Sequence, residues 1–135
     1  MYRILLVDDS RVMRKLLQNV LVSNGYADSE FPEASDGNEA LQRLEQFSFK
    51  VDAIFCDLSM PNLDGLGFID ALAARKRLGM CPLIVLTADG SQSRGREVLL
   101  RGASALLRKP FNADEVSAVL GRLLASPRDA SARQP

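Results

Sequence analysis

The sequence predicts a doubly wound α/β fold, with five parallel strands in the order 2-1-3-4-5 and helices on both faces of the sheet. Three observations predict it. Five short apolar runs alternate with amphipathic helical patterns along nearly the whole chain. Three of those runs, at 2–7, 52–56 and 82–87, are almost continuously apolar, as strands covered on both faces should be. The second run contains Pro32, which belongs on a sheet edge. The 2-1-3-4-5 order puts the second strand at an edge.

The first strand is "YRILLV" (2–7). In the helix that follows, Val12, Leu16 and Val20 recur at four-residue spacing, with Met13, Leu17 and Leu21 beside them. Ser10 can cap its start, and Gly25 fits just past its end. A weak strand, "DSEFPEA" (28–34), comes next. Asp36 and Glu39 form a capping box for the second helix, which turns Leu41 and Leu44 inward. The third strand is "DAIFC" (52–56), and the third helix, about 65–77, carries Leu66, Ile69 and Leu72. The fourth strand is "PLIVLT" (82–87). The helix after it is the poorest, because Ser91, Ser93 and Gly95 lower its propensity before Val98–Leu100 can anchor it. The fifth strand is "SALLR" (104–108). Asn112 and Glu115 cap the last helix, with Val116, Val119, Leu120 and Leu123 on one face. Residues 1–125 read as one domain, and 126–135 as a small, polar tail expected to be disordered.

Bulk properties narrow the function. The chain has 135 residues, 47% hydrophobic and 25% charged, an ordinary balance for one soluble domain. Seventeen basic residues offset seventeen acidic ones, so no global field favours nucleic acid or an anionic membrane. No apolar run is long enough for a membrane span, and "MYRILLVDDS" lacks a signal-peptide layout. Cys56 and Cys81 make no disulfide framework and read as free thiols, so the expected location is cytoplasmic. There is no histidine. Ser–His–Asp catalysis, Cys–His catalysis and histidine-ligated metals are therefore excluded.

Right-handed crossovers put the C-terminal ends of all strands on one rim, and ligands bind where strand order reverses. Strand 1 runs into Asp8 and Asp9, strand 3 into Asp57, strand 4 into Thr87 and strand 5 into Lys109. Any one of these has an ordinary explanation as a cap, a turn or a surface charge. Their joint placement on one rim does not. Three aspartates and one lysine sum to −2, which a divalent cation neutralises. Oxygen-only ligation suits Mg²⁺, or Mn²⁺. An ionised Asp57 facing Lys109 is then a nucleophile toward phosphorus, with the cation and Lys109 balancing charge and Thr87 supplying a hydroxyl hydrogen bond.

These residues lie in motifs. "ILLVDDS", "DLSMPNLDG", "LTA" and "RKPF" together resemble the response-regulator receiver domain of two-component signalling, over about residues 2–125. "VDDSRVMRKLL" is similar to stand-alone chemotaxis-type members. The resemblance implies a flavodoxin-like (βα)5 fold and phosphorylation of Asp57. It implies Mg²⁺ held by Asp9 and Asp57 side chains, by the Ser59 carbonyl, and by Asp8 through water. It implies Thr87 and Lys109 on the phosphoryl oxygens, and a cis Lys109–Pro110 bond. The implied donor is a phosphohistidine on a sensor histidine kinase or histidine phosphotransfer protein. With no output domain following, the implied signal passes to an effector docked on the fourth-helix, fifth-strand and fifth-helix face. Thr87 and position 106 would form the switch. The family usually has an aromatic residue at position 106, and Leu106 stands there here.

Such a domain is a phosphoacceptor rather than a classical enzyme, with only self-phosphorylation and autodephosphorylation chemistry of its own. An aspartate-nucleophile phosphatase would place its two acids two residues apart after strand 1, whereas here they are adjacent. A flavin module would need a Gly/Ser/Thr-rich phosphate cradle, which "VDDSRV" lacks. A third alternative is a receiver fold used only for docking and never phosphorylated. Degenerate receivers lose an acid or the lysine, and this chain keeps all five residues.

Overall fold

The computed structural model describes residues 2–88 and 90–124. Five strands, β1 (Ile4–Val7), β2 (Glu33–Ala34), β3 (Ala53–Asp57), β4 (Leu83–Thr87) and β5 (Ala105–Arg108), form one parallel sheet in the order β2-β1-β3-β4-β5. The helices are α1 (Arg11–Leu21), α2 (Gly37–Gln46), α3 (Gly65–Ala74), α4 (Gln92–Leu100) and α5 (Ala113–Leu123). The expected tail at 126–135 lies outside the described residues. No helix among the described residues is long and apolar enough to cross a membrane.

Alternation along each strand builds two cores. Leu5, Val7, Ile54, Cys56 and Val85 face α2, α3 and α4 through Leu44, Phe68, Ile69, Leu72 and Val98. Ile4, Leu6, Phe55, Ile84 and Leu86 face α1 and α5 through Leu17, Leu21, Val116, Val119 and Leu120. The pleat thus sends neighbouring residues of one strand into different cores.

Three caps, Ser10, Asp36 and Asn112, form as expected, and Asp64 and Ser91 add two beyond those expected from the sequence. Ser10, Asp36, Asp64, Ser91 and Asn112 each accept a backbone N–H at the start of their helix. Past α1 the backbone widens to a π-type turn over Val22–Tyr26, where Gly25 takes φ 101° and ends the helix.

Four details differ from expectation. The second strand is two residues rather than seven, with an isolated bridge at Arg3–Glu30. Bonds from Ile4 N to Glu30 O and from Leu6 N to Pro32 O persist. The intervening bond, from residue 32 back to Ile4 O, has no donor because proline lacks an N–H. The third helix stops at Ala74, not 77, because Lys76 adopts φ 57° and Arg77 N bonds back to Leu72 O. On α1 the Leu17–Leu21 row is buried, whereas Val12 is 79% exposed. On α4 only Gly95 and Val98 are buried, so Leu99 and Leu100 do not anchor it.

Candidate functional site

The rim predicted from the strand ends is present. Asp57 is the last residue of β3 and Thr87 the last of β4, and both are buried. Asp8 follows β1 and is also buried, while Asp9 is exposed. Register explains the assembly. Asp57 pairs with Leu86 across β3–β4, and Thr87 pairs with Arg108 across β4–β5, so Lys109 comes next on the same rim. The Lys109 N–H donates to Thr87 O at 2.8 Å, and Lys109–Pro110 is cis.

The polar groups are tightly tied. Lys109 Nζ lies 3.0 Å from Asp8 Oδ2 and 3.3 Å from Asp57 Oδ1. Asp8 Oδ1 accepts the Ser10 N–H at 2.9 Å, so Asp8 joins the lysine to the start of α1. The Arg14 guanidinium donates to the Asp8 carbonyl. Below Asp57, the Gly65 N–H donates to Leu58 O at 2.9 Å. A Cβ on Gly65 would stand 2.9 Å from both Asp57 O and Leu58 Cα, so this turn requires glycine. Asn62, at φ 65°, donates to Asp36 Oδ2 at 2.7 Å, pinning the loop after Asp57 to the α2 cap. That bond, with the Glu39 N–H, holds the Asp36 carboxyl below its ordinary range, the Glu39 contribution being the larger.

Burial pushes the Asp57 carboxyl above its ordinary pKa, and the Asp8 charge adds to this; Lys109 offsets part of it. Burial alone would lower Lys109, but the hydrogen bond and charge of Asp8, then Asp57, raise it above the ordinary lysine value. The site is thus short of positive charge without further compensation. Asp8, Asp9 and Asp57 each offer a carboxylate oxygen, all within 4.8 Å of one another. Three close hard oxygens and no imidazole fit Mg²⁺ or Mn²⁺. Ser59 is exposed on the loop after Asp57, bordering an open cavity of about 450 Å³ shared with Asp57, Thr87, Ala88 and Lys109.

The comparisons with known proteins agree with this geometry. The profile of the response regulator receiver domain matches residues 4–120. The chain belongs to that family. It is 33% identical to the chemotaxis protein CheY of Bacillus subtilis over 126 residues, covering 91% of this chain and 98% of that one. It is 32% identical to CheY of Pseudomonas aeruginosa over 111 residues, covering 82% and 86%. Among solved structures, chemotaxis response regulator CheY4 of Vibrio cholerae superposes with a TM-score of 0.79 at 31% identity, covering 92% of this chain and 99% of that one. This receiver is of the chemotaxis type, and its strand order is theirs.

The structure also contains members of the site that the sequence reading missed. Arg94, in the first turn of α4, borders the cavity. Its only signal in the sequence is its position seven residues beyond Thr87, inside a segment notable for weak helix propensity. Asn62 and Gly65 lie in the quoted turn "PNLDG", but their partners are visible only in three dimensions. Leu106 is half-buried on β5, away from the carboxylates, and packs against Gly95, where a Cβ would come within 2.7 Å of its Cδ2.

Proposed function

We propose that this chain is a phospho-accepting response regulator whose acceptor is Asp57. The single observation supporting this is the buried Asp57 carboxylate, 3.3 Å from Lys109 and clustered with Asp8 and Asp9. An Asp57 oxygen attacks the phosphorus of a phosphohistidine donor. The O–P bond forms, the P–N bond breaks, and the electron pair leaves on the donor imidazole, which takes a proton. Lys109 faces the developing negative charge, and the Thr87 hydroxyl borders the space where the phosphoryl oxygens come to rest. Asp8 holds Lys109 in place and keeps it protonated. A divalent cation held by Asp8, Asp9, Asp57 and the Ser59 carbonyl would supply neutralising charge. Water later attacks the phosphorus and releases Asp57 as a carboxylate, so the domain is a reversible signal carrier.

The domain spans 1–125 in this reading. Its donor is a sensor histidine kinase or histidine phosphotransfer protein in the cytoplasm, and it acts on neither nucleic acid nor membrane directly. Its output surface is the face of α4, β5 and α5, with Thr87 and Leu106 as the switch. There a groove of about 420 Å³ is lined by Gly95, Arg96, Leu99, Leu100, Leu106 and Arg108. Leu99 and Leu100 are 46% and 80% exposed, the kind of apolar surface that a partner covers. Incubation with acetyl phosphate and Mg²⁺, followed by intact mass, tests the proposal. A phosphoryl gain that disappears in Asp57→Asn and in EDTA is expected. A gain that persists in either overturns it, and no gain in the wild type favours the docking-module alternative.

A further inference from the structure

The Arg94 side chain borders the same cavity as Asp57, Thr87 and Lys109. Its backbone N–H is engaged by the Ser91 hydroxyl at 3.3 Å, which fixes where the side chain starts. Among the described residues its guanidinium has no ion pair or hydrogen bond. Arg3, Arg14 and Arg101 are paired, with Glu30, Glu33 and Asp70 respectively. An exposed cation beside a cluster of carboxylates, and bonded to none of them, is available to a group that is not yet there.

Charge says what that group is. Three aspartates and Lys109 leave −2, and a divalent cation brings the resting site to zero. Phosphorylation replaces the single charge of Asp57 with the double charge of an acyl phosphate, so the site returns to −1. One further cation is then needed, and Arg94 is the other cation bordering the cavity. Arginine is also suited to the task, since its planar fork matches two phosphoryl oxygens.

The position of Arg94 gives the pairing a consequence. Arg94 belongs to α4, the helix that carries Gly95, Leu99 and Leu100 on the apolar groove. A contact between Arg94 and the phosphoryl group pulls on the first turn of that helix. The adjacent residue, Gly95, rests directly on Leu106 of β5. A shift at Arg94 therefore reaches Leu106 through one neighbour. α4 is also easy to move, because Gly95 and Val98 alone are buried along it.

We propose that Arg94 is a phosphoryl-contacting residue that pairs with the group on Asp57 and couples α4 to phosphorylation. This rests on the receiver reading above. The test uses the full chain with Mg²⁺ and beryllofluoride, a mimic of the phosphoryl group, in calorimetry and backbone NMR. Arg94→Gln should weaken beryllofluoride binding about tenfold, the equivalent of one charge-assisted hydrogen bond. It should also shrink the ligand-induced shifts across 92–100 while leaving those at Asp8, Asp9 and Asp57. Arg94→Lys should recover part of the affinity, and Arg94→Glu should lose more than Arg94→Gln. A ligand-free spectrum like the wild type establishes that each variant is folded. Equal affinity and equal α4 shifts in wild type and Arg94→Gln overturn the inference and leave Asp57 as the acceptor. No beryllofluoride binding by the wild type overturns the phospho-acceptor reading itself.

Discussion

The rim of the sheet has two halves of different construction. Around β1 and β3, Asp8 and Asp57 are buried and tied to Lys109, and the turn below Asp57 packs backbone against backbone. Around α4 and β5, contact is side chain on glycine, and two leucines face outward. A phosphoryl acceptor must hold its atoms within tenths of an ångström, which bonded polar groups and close backbone contacts achieve. A surface that reports the event must shift at low cost, which a thinly anchored helix does. Chemistry and signalling thus make opposite demands on adjacent parts of one rim.

The largest effect belongs to Lys109. Lys109→Met removes the cation facing both Asp8 and Asp57. Phosphoryl transfer from acetyl phosphate should slow roughly a hundredfold or more, as when one preorganised charge-stabilising donor is lost. Stability should fall as well, because Asp8 remains buried without its partner. The raised Lys109 pKa sets the sign: its contribution is full below pH 10.5 and is lost as pH rises through the folded value. Time-resolved mass spectrometry and denaturant titration read the two effects. Transfer at the wild-type rate would remove Lys109 from the chemistry.

A pair of glycines tests the stiffness of the two halves directly. Gly65→Ala drives a Cβ to 2.9 Å from two backbone atoms of the acceptor strand and loop. Backbone cannot yield cheaply there, so a loss of about 2 kcal/mol is expected, with slower phosphorylation. Gly95→Ala meets the Leu106 Cδ2 tip at 2.7 Å, which can rotate away. The gain in helix propensity, about 0.8–1 kcal/mol, offsets that adjustment, so stability should stay nearly constant. Urea midpoints of both variants decide. Equal losses would mean that the α4 side is as rigid as the acceptor side.

The same contrast explains what could be read from the sequence. Strand ends, helix caps and the five rim residues were legible, because each depends on residue type at fixed local spacing. The face of α1 was not. Two adjacent rows, Val12–Leu16–Val20 and Met13–Leu17–Leu21, offer equally good periodicity, and only the fold buries the second. The early stop of α3 was hidden because Lys76, rather than glycine, takes the left-handed position. The truncation of β2 follows from Pro32, read correctly as an edge marker but not as a missing donor. Arg94 could not be found, since nothing local says that an arginine on a weak helix borders a cavity.

A smaller effect comes from Asp57 in the absence of divalent cations. Its folded pKa is raised, by burial first and then by the Asp8 charge. Between the ordinary carboxylate value of 3.8 and the raised one, the native state holds more protons than the unfolded state. Stability therefore falls as pH rises through that window and stays lower above it. Asp57→Asn removes this penalty and should be more stable than wild type at pH 7 in EDTA by about 1 kcal/mol, roughly 4 °C in Tm. The advantage should vanish below the ordinary carboxylate value and narrow when Mg²⁺ is added, since a cation binds the wild type, with its extra carboxylate, more tightly than the variant. Calorimetric scans at several pH values check this. An asparagine variant less stable than wild type in EDTA would mean that the charge of Asp57 is already compensated in the resting site.

The smallest effect, and the finest test of the soft half, is at Leu106. The family's usual aromatic residue is absent here, and the leucine rests on Gly95. A ligand shifts an equilibrium only by its differential interaction with the two states, so the trigger and the amplifier are separable. In the proposed mechanism Thr87 and Asp57 form the trigger, and they lie on β4 and β3, away from a change on β5. The Leu106 Cδ2 tip already crowds Gly95, so a ring introduced there must turn outward into the groove beside Leu99 and Leu100. Leu106→Tyr should therefore leave the rate and extent of phosphorylation at Asp57 unchanged while altering effector affinity a few-fold, about 0.5–1 kcal/mol for a rim contact. Beryllofluoride-induced shifts at Asp8, Asp9 and Asp57 should match the wild type, and those from Gln92 to Arg108 should differ in size. If the tyrosine instead changed the phosphorylation rate, the two halves of the rim would be mechanically joined through β5 as well as through α4. The division between a stiff acceptor and a soft reporter would then fail at the residue where it is drawn most sharply.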